Sequence, residues 1–144
     1  MTHASPTLIL YPVFAIFLLV VVVLLYMGRM RFAAVRKGEV SIEYFRAYAD
    51  GNEPERLQVI SRHFVNLFEM PVLFYVGVIL VYITHQVSYW MIGCAWVYVA
   101  FRYMHSYVHL TSNNVMVRFS LYLASTFVLI VMWSTLLAAL IRTG

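Results

Sequence analysis

The sequence predicts an all-α integral membrane fold, a bundle of four transmembrane helices. Composition is the first reason. Hydrophobic residues make up 63% of the 144-residue chain and charged residues only 11%. A soluble domain carries about 25% charged residues, so lipid is the better solvent for this surface. Four stretches reach the length of about 20 apolar residues that a helix needs to cross a bilayer. The alternating pattern of a β-barrel is not seen in the sequence.

The expected helices cover about 7–28, 54–84, 87–109 and 118–141, with a loop at about 29–53, in a single domain over 1–144. Thr7 to Gly28 carries no charge. It is longer than a signal-peptide core and no basic residue precedes it, so it reads as a retained helix. In the long connection from Arg29 to Ser61, the stretch Ser41 to Ala49 fits a short interfacial helix. Gly51-Asn52-Glu53-Pro54 reads as a turn and a helix start. The second span, Phe64 to Thr84, is interrupted by Asn66, Glu69 and Pro71. Pro71 cannot donate to the Leu67 carbonyl, so a kink is expected there. Thr84 to Ser88 is a tight turn that predicts an antiparallel hairpin with the third span, Val87 to Val108, which holds Arg102 and His105. Leu110 to Val117 is a short polar loop, and Phe119 to Ile141 is a charge-free fourth span.

Charge sets the orientation and narrows the function. Arg29, Arg31, Arg36, Lys37, Arg46 and Arg56 all fall in the long first connection, and the second loop has no Lys or Arg. The positive-inside rule places the first and third connections in the cytoplasm and both termini on the other side. The net charge of +4 is modest and its basic residues sit near membrane boundaries, so nucleic acid is not an expected partner. Cys94 is the only cysteine and lies in an apolar run, which fits a buried, inert thiol. The sequence indicates no metal set.

The polar residues of the spans converge by depth. Glu69 lies seven residues beyond Arg62, and Arg102 seven before His109, so both sit roughly 10 Å below the same boundary. Arg118 opens the last helix on that side. Arg62, Asn66 and Glu69 share one helical stripe, and Tyr98, Arg102, His105 and His109 share another. A charge at the bilayer centre costs about 2.5–3.5 kcal/mol on the lenient insertion scale. Matching polar stripes therefore imply pairing, water or a ligand. Each residue also has a plainer use. Glu69 and Arg102 fit a structural salt bridge, Arg62 and Arg118 fit contacts with lipid phosphates, and the histidines and Asn66 fit helix packing.

At these residues the chain resembles the MAPEG family, the membrane-associated proteins in eicosanoid and glutathione metabolism, over essentially its whole length. R-x3-N-x2-E stands at Arg62, Asn66 and Glu69, followed by Pro71. R-x-x-H stands at Arg102 and His105, and an arginine opening the last helix at Arg118, with Ser120 near it. The run from Asn66 to Tyr75 looks most like the bacterial branch. Pro71 follows Glu69 more closely than in the eicosanoid synthases, His109 stands where those place a tyrosine, and Phe119 follows Arg118.

The resemblance implies a homotrimer in a bacterial inner membrane, with periplasmic termini and glutathione held between subunits in the cytoplasmic half. Glutathione has two carboxylates, an ammonium and a thiol. Arg62 and Arg102 suit carboxylates, Glu69 the ammonium, and Asn66, His105 and His109 the remaining polar groups. By similarity, Arg118 is the thiol-activating residue, since a nearby cation favours a thiolate. A lipophilic second substrate would enter from the membrane lipids. The expected function is a glutathione-dependent transferase or peroxidase-like enzyme acting on lipophilic electrophiles or lipid hydroperoxides. The alternatives are a non-catalytic lipid-binding protein of the same fold and, more remotely, a proton-coupled transporter using Glu69, His105 and His109.

Overall fold

The computed structural model describes residues 5–48 and 53–143. The described residues form helices and turns with no β-strand. A 3-10 turn, Pro6–Leu10, leads into α1, Tyr11–Arg36. A single helical turn, α2 (Tyr44–Ala47), follows. Then come α3 (Glu55–Asn66), α4 (Met70–Ile83), α5 (Tyr89–Leu110) and α6 (Val115–Thr143).

The first helix runs past its expected end. Nothing between Gly28 and Gly38 interrupts a helix, so Arg29, Arg31 and Arg36 belong to α1 and not to a loop. Gly38 stops it. Its φ of +69° suits the left-handed position that ends helices. The Glu39 amide donates to Ala34 and the Gly38 amide to Val35, which together make a Schellman cap. The expected interfacial helix shrinks to α2, where Ser41 Oγ accepts from the Tyr44 amide at 3.2 Å. Ala49 and the Gly51-Asn52 half of the expected turn lie outside the described residues. Pro54 serves as the N-cap residue of α3.

The second span is broken, not merely kinked. Leu67 to Glu69 form turns between α3 and α4, tied by short-range bonds from Leu67 to Phe64 and from Phe68 to Val65. Pro71 falls in the first turn of α4, where a missing N–H is cheapest.

Three stretches are long and apolar enough to cross a membrane: Pro6–Arg36, Glu55–Ile83 and Val115–Thr143. The expected third span, α5, is not among them, because Arg102, His105, Ser106 and His109 dilute its apolar character. It compensates by burial: Met91, Ala95, Tyr98, Arg102, His105 and His109 all lie inside. The hairpin expectation shifts accordingly. The most intimate pair is α5 with α6, while α4 packs mainly against α6 and the N-terminal turn. Contact between α4 and α5 comes through large side chains, such as Phe74 stacked on Tyr98 at 4.4 Å.

The main core joins Ile9, Ile16, Phe74, Val78, Met91, Leu129 and Met132. A second cluster of Leu19, Val23, Met27, Ile60 and Leu67 lies under α3. Gly77 lets α4 approach α6: a Cβ there would stand 3.1 Å from Trp133 Nε1, which donates to the Leu73 carbonyl at 3.3 Å. The outward faces are apolar, with Phe14, Phe17, Leu25 and Phe127 each about 60% or more exposed.

Candidate functional site

A cleft of about 910 Å³ lies beside the break between α3 and α4. Its wall brings together Arg62, Asn66, Glu69, His105, His109 and Arg118, all singled out from the sequence. Arg102 is the exception: it is fully buried and stands behind this wall. Ser120 does not line the cleft and spends its hydroxyl on the Met116 carbonyl at 3.0 Å.

The break explains the position of Arg102. Helix geometry lapses after Asn66, so that residue's carbonyl is left with only a long contact to the Glu69 amide, at 3.4 Å. Arg102 Nη2 supplies the missing donor, reaching the Asn66 carbonyl at 3.1 Å and its Oδ1 at 2.8 Å. Asn66 Nδ2 in turn donates to Glu69 Oε2 at 3.1 Å. The salt bridge considered between Glu69 and Arg102 is not formed among the described residues; Asn66 stands between them. A buried guanidinium thus fixes Asn66, and Asn66 fixes an exposed carboxylate.

The α3 stripe packs differently from the expectation. Leu57, Ile60 and His63 form the buried face of α3, while Arg62 and Glu69 are exposed toward the cleft. The polar stripe of α5 therefore meets His63, one residue away from Arg62. The His63 ring lies 4.7 Å from that of His109 and 5.8 Å from that of His105, centre to centre. His63 was not legible as a site residue because a lone histidine beside an arginine at a membrane boundary gives no distinguishing signal.

Arg118 opens α6 under tight local control. Asn114 caps the helix, its Oδ1 accepting from the Val117 amide at 3.2 Å. The Arg118 guanidinium donates to Asn113 Oδ1 and faces His109 Nε2 at 3.3 Å. Its carbonyl contacts His105 Nδ1 at 3.0 Å. Arg31 is a further cation in the wall that sequence reasoning assigned only to topology. It donates to Ser61 Oγ at 3.1 Å and lies over the Phe45 and Tyr48 rings, 5.3 and 5.8 Å from their centroids. Tyr122 completes the wall from α6.

The arrangement has a definite chemical character. Three guanidinium groups (Arg31, Arg62 and Arg118) and one exposed carboxylate share a cleft whose remaining wall includes Phe64, Val65 and Phe119. Such a set suits a small zwitterion with more acidic than basic groups, held next to apolar surface. Fold and site together define a class: a helical membrane protein with a largely apolar cleft, set with charged groups, walled by α1, α3, α5 and α6. The MAPEG family model matches residues 9–138, most of the chain, and the protein belongs to that family. It is accordingly an integral membrane protein of a family associated with eicosanoid and glutathione metabolism. No curated protein and no solved structure matches the chain.

Proposed function

We propose that the cleft binds glutathione and that the protein is a membrane-bound, glutathione-dependent transferase or peroxidase-like enzyme acting on lipophilic electrophiles or lipid hydroperoxides. The observation that carries this reading is the convergence of Arg62, Asn66, Glu69, His105, His109 and Arg118 on one cleft bordered by apolar surface. The donor set matches the ligand group by group. Arg62 and Arg31 suit the two carboxylates, and Glu69, oriented by Asn66, suits the ammonium. Arg102 acts as a positioning residue behind Asn66. Bound glutathione would supply a nucleophilic sulfur, and the Arg118 guanidinium would favour its thiolate form.

In the full proposal α5 is the fourth transmembrane helix, tolerated because its polar side chains are enclosed. The basic end of α1 and the break at Leu67–Glu69 face the cytoplasm of a bacterial cell, with the termini periplasmic. The exposed apolar faces suit lipid and the neighbouring subunits of a homotrimer, and a lipophilic substrate would reach the cleft from the bilayer. The test is equilibrium binding of reduced glutathione to detergent-solubilised protein. Saturable binding that is lost in Arg62→Ala and Glu69→Ala supports the site. A folded wild type that binds none at millimolar thiol refutes it.

One observation favours a second reading, a non-catalytic lipid-binding protein. Arg118 is already held by Asn113 and faces His109, so its guanidinium is partly committed within the chain. Turnover assays with electrophiles and hydroperoxides separate the two: lipid binding that survives in Arg118→Ala, with no turnover by the wild type, favours the second.

A further inference from the structure

The glutathione reading uses His105 and His109 but gives no role to His63, whose ring packs with theirs in one cluster. All three are buried, and one ring nitrogen from each lies within 4.8 Å of the other two. His63 is contributed by α3 and the other two by adjacent turns of α5. Four of their ring nitrogens, both of His63, Nε2 of His105 and Nδ1 of His109, have no hydrogen-bond partner among the described residues. A buried nitrogen without a partner costs about 1–3 kcal/mol, so hydrophobic packing alone is a poor reason to gather three such rings.

We propose that these three histidines bind one divalent transition-metal ion of borderline softness, with zinc the reference case. Three neutral imidazoles with no carboxylate select zinc, cobalt, nickel or copper over magnesium and calcium. A tetrahedral zinc site with Zn–N of about 2.0–2.1 Å sets its nitrogens roughly 3.3 Å apart, so small side-chain rotations would draw the rings in. His105 is already oriented for the task. Its Nδ1 is 3.0 Å from the Arg118 carbonyl, and a proton placed there leaves the Nε2 lone pair free. His105 and His109 line the cleft while His63 lies behind it, so a fourth coordination position would open toward the cleft.

His109 adds a coupling. A neutral imidazole has one lone pair, and Arg118 Nη1 faces His109 Nε2 at 3.3 Å. A metal ion and the Arg118 N–H therefore compete for the same ring. Metal uptake breaks the contact of Arg118 with His109 while Asn113 still holds the guanidinium, and a mutation that removes its charge strengthens metal binding. An anionic fourth ligand, hydroxide or thiolate, would offset the remaining positive charge.

The experiment uses the full chain purified without a histidine tag, stripped with a chelator and titrated with zinc against a chromophoric competitor. It is done with no thiol present, so its outcome is independent of glutathione binding. One equivalent per chain is expected, with affinity falling at least about 100-fold in His63→Gln and rising about tenfold in Arg118→Gln. A second measurement needs only the wild type: cobalt loading is expected to give the intense visible d–d bands of a tetrahedral nitrogen site, bleached by zinc. A folded, stripped protein that takes up less than one equivalent, binds equally well in His63→Gln, or shows only the weak cobalt bands of an octahedral aquo ion overturns the proposal.

Discussion

Asn66 is where the buried and exposed halves of the site meet, and its replacement tests the whole arrangement. Asn66→Ala removes the acceptor that Arg102 reaches at 2.8 Å and the donor that Glu69 receives at 3.1 Å. Arg102 is fully buried and, among the described residues, keeps only the Asn66 backbone carbonyl as acceptor, at 3.1 Å. A hydrogen bond to a charged group contributes about 1.5–3 kcal/mol in soluble proteins. Polar contacts between membrane helices contribute about 0.6–2 kcal/mol, because the unfolded chain in a membrane also finds partners. The expected loss is therefore about 1–2 kcal/mol, read as a shift in the unfolding midpoint on titrating mixed micelles with a denaturing detergent. Asn66→Asp separates the two halves of the effect. It keeps an acceptor for Arg102 but replaces the donor to Glu69 with a second carboxylate. Stability should stay within about 0.5 kcal/mol of wild type, while glutathione affinity falls roughly tenfold as Glu69 is displaced, a change equal to about 1.4 kcal/mol. If Asn66→Ala unfolds with the wild-type midpoint and binds glutathione normally, the chain from Arg102 through Asn66 to Glu69 has no functional weight.

Other perturbations check separate parts of the molecule. Gly77→Leu forces a side chain into the Trp133 indole, where even a Cβ would stand 3.1 Å away, and should destabilise the fold by about 1–3 kcal/mol in the same titration. Wild-type stability in that variant would mean that α4 and α6 do not approach as described. Gly38→Ala places a side chain at a φ of +69°, and a loss of about 1 kcal/mol is expected, with fraying of the last turn of α1 visible in amide exchange. Asn113→Gly keeps the left-handed backbone at φ 49° but deletes the acceptor for Arg118. On the enzyme reading it should leave stability within about 0.5 kcal/mol and raise thiol reactivity; unchanged turnover would show that the Arg118 pose is not limiting.

The helical, membrane-bound character was readable because apolar length and charge depletion are long-range signals that survive errors at single residues. The α5 stripe was readable for a similar reason: Tyr98, Arg102, His105 and His109 repeat with helical spacing and all four are buried. The face of α3 was not. The stripe of Arg62, Asn66 and Glu69 looked like the partner of α5 because both stripes are polar, yet the neighbouring His63 fills that contact while Arg62 turns toward the cleft. Helical spacing fixes which residues share a stripe but not which stripe a neighbouring helix takes. The break at Leu67–Glu69 was only half foreseen. Pro71 announces a lost hydrogen bond, but the donor that stabilises the opened Asn66 carbonyl comes from Arg102, 36 residues further on. The extension of α1 beyond Gly28 was missed because basic residues were read as a loop, although arginine is a good helix former.

The close pairing of α5 with α6 has a consequence for how this chain enters a membrane. Each charged residue near the centre of a helix adds about 2.5–3.5 kcal/mol to its insertion free energy, and α5 brings Arg102 and two histidines with few strongly apolar residues to offset them. On the four-span reading, α5 is a poor stop-transfer segment by itself. The helix that follows is apolar and joined to it by only Thr111 to Asn114. The two are therefore expected to partition into lipid as one hairpin, with α6 supplying the driving force and meeting Arg102 and His105 through Tyr122. On that reading, a nascent chain truncated before α6 should leave α5 outside the bilayer, and α5 becomes a membrane span only once α6 has been made.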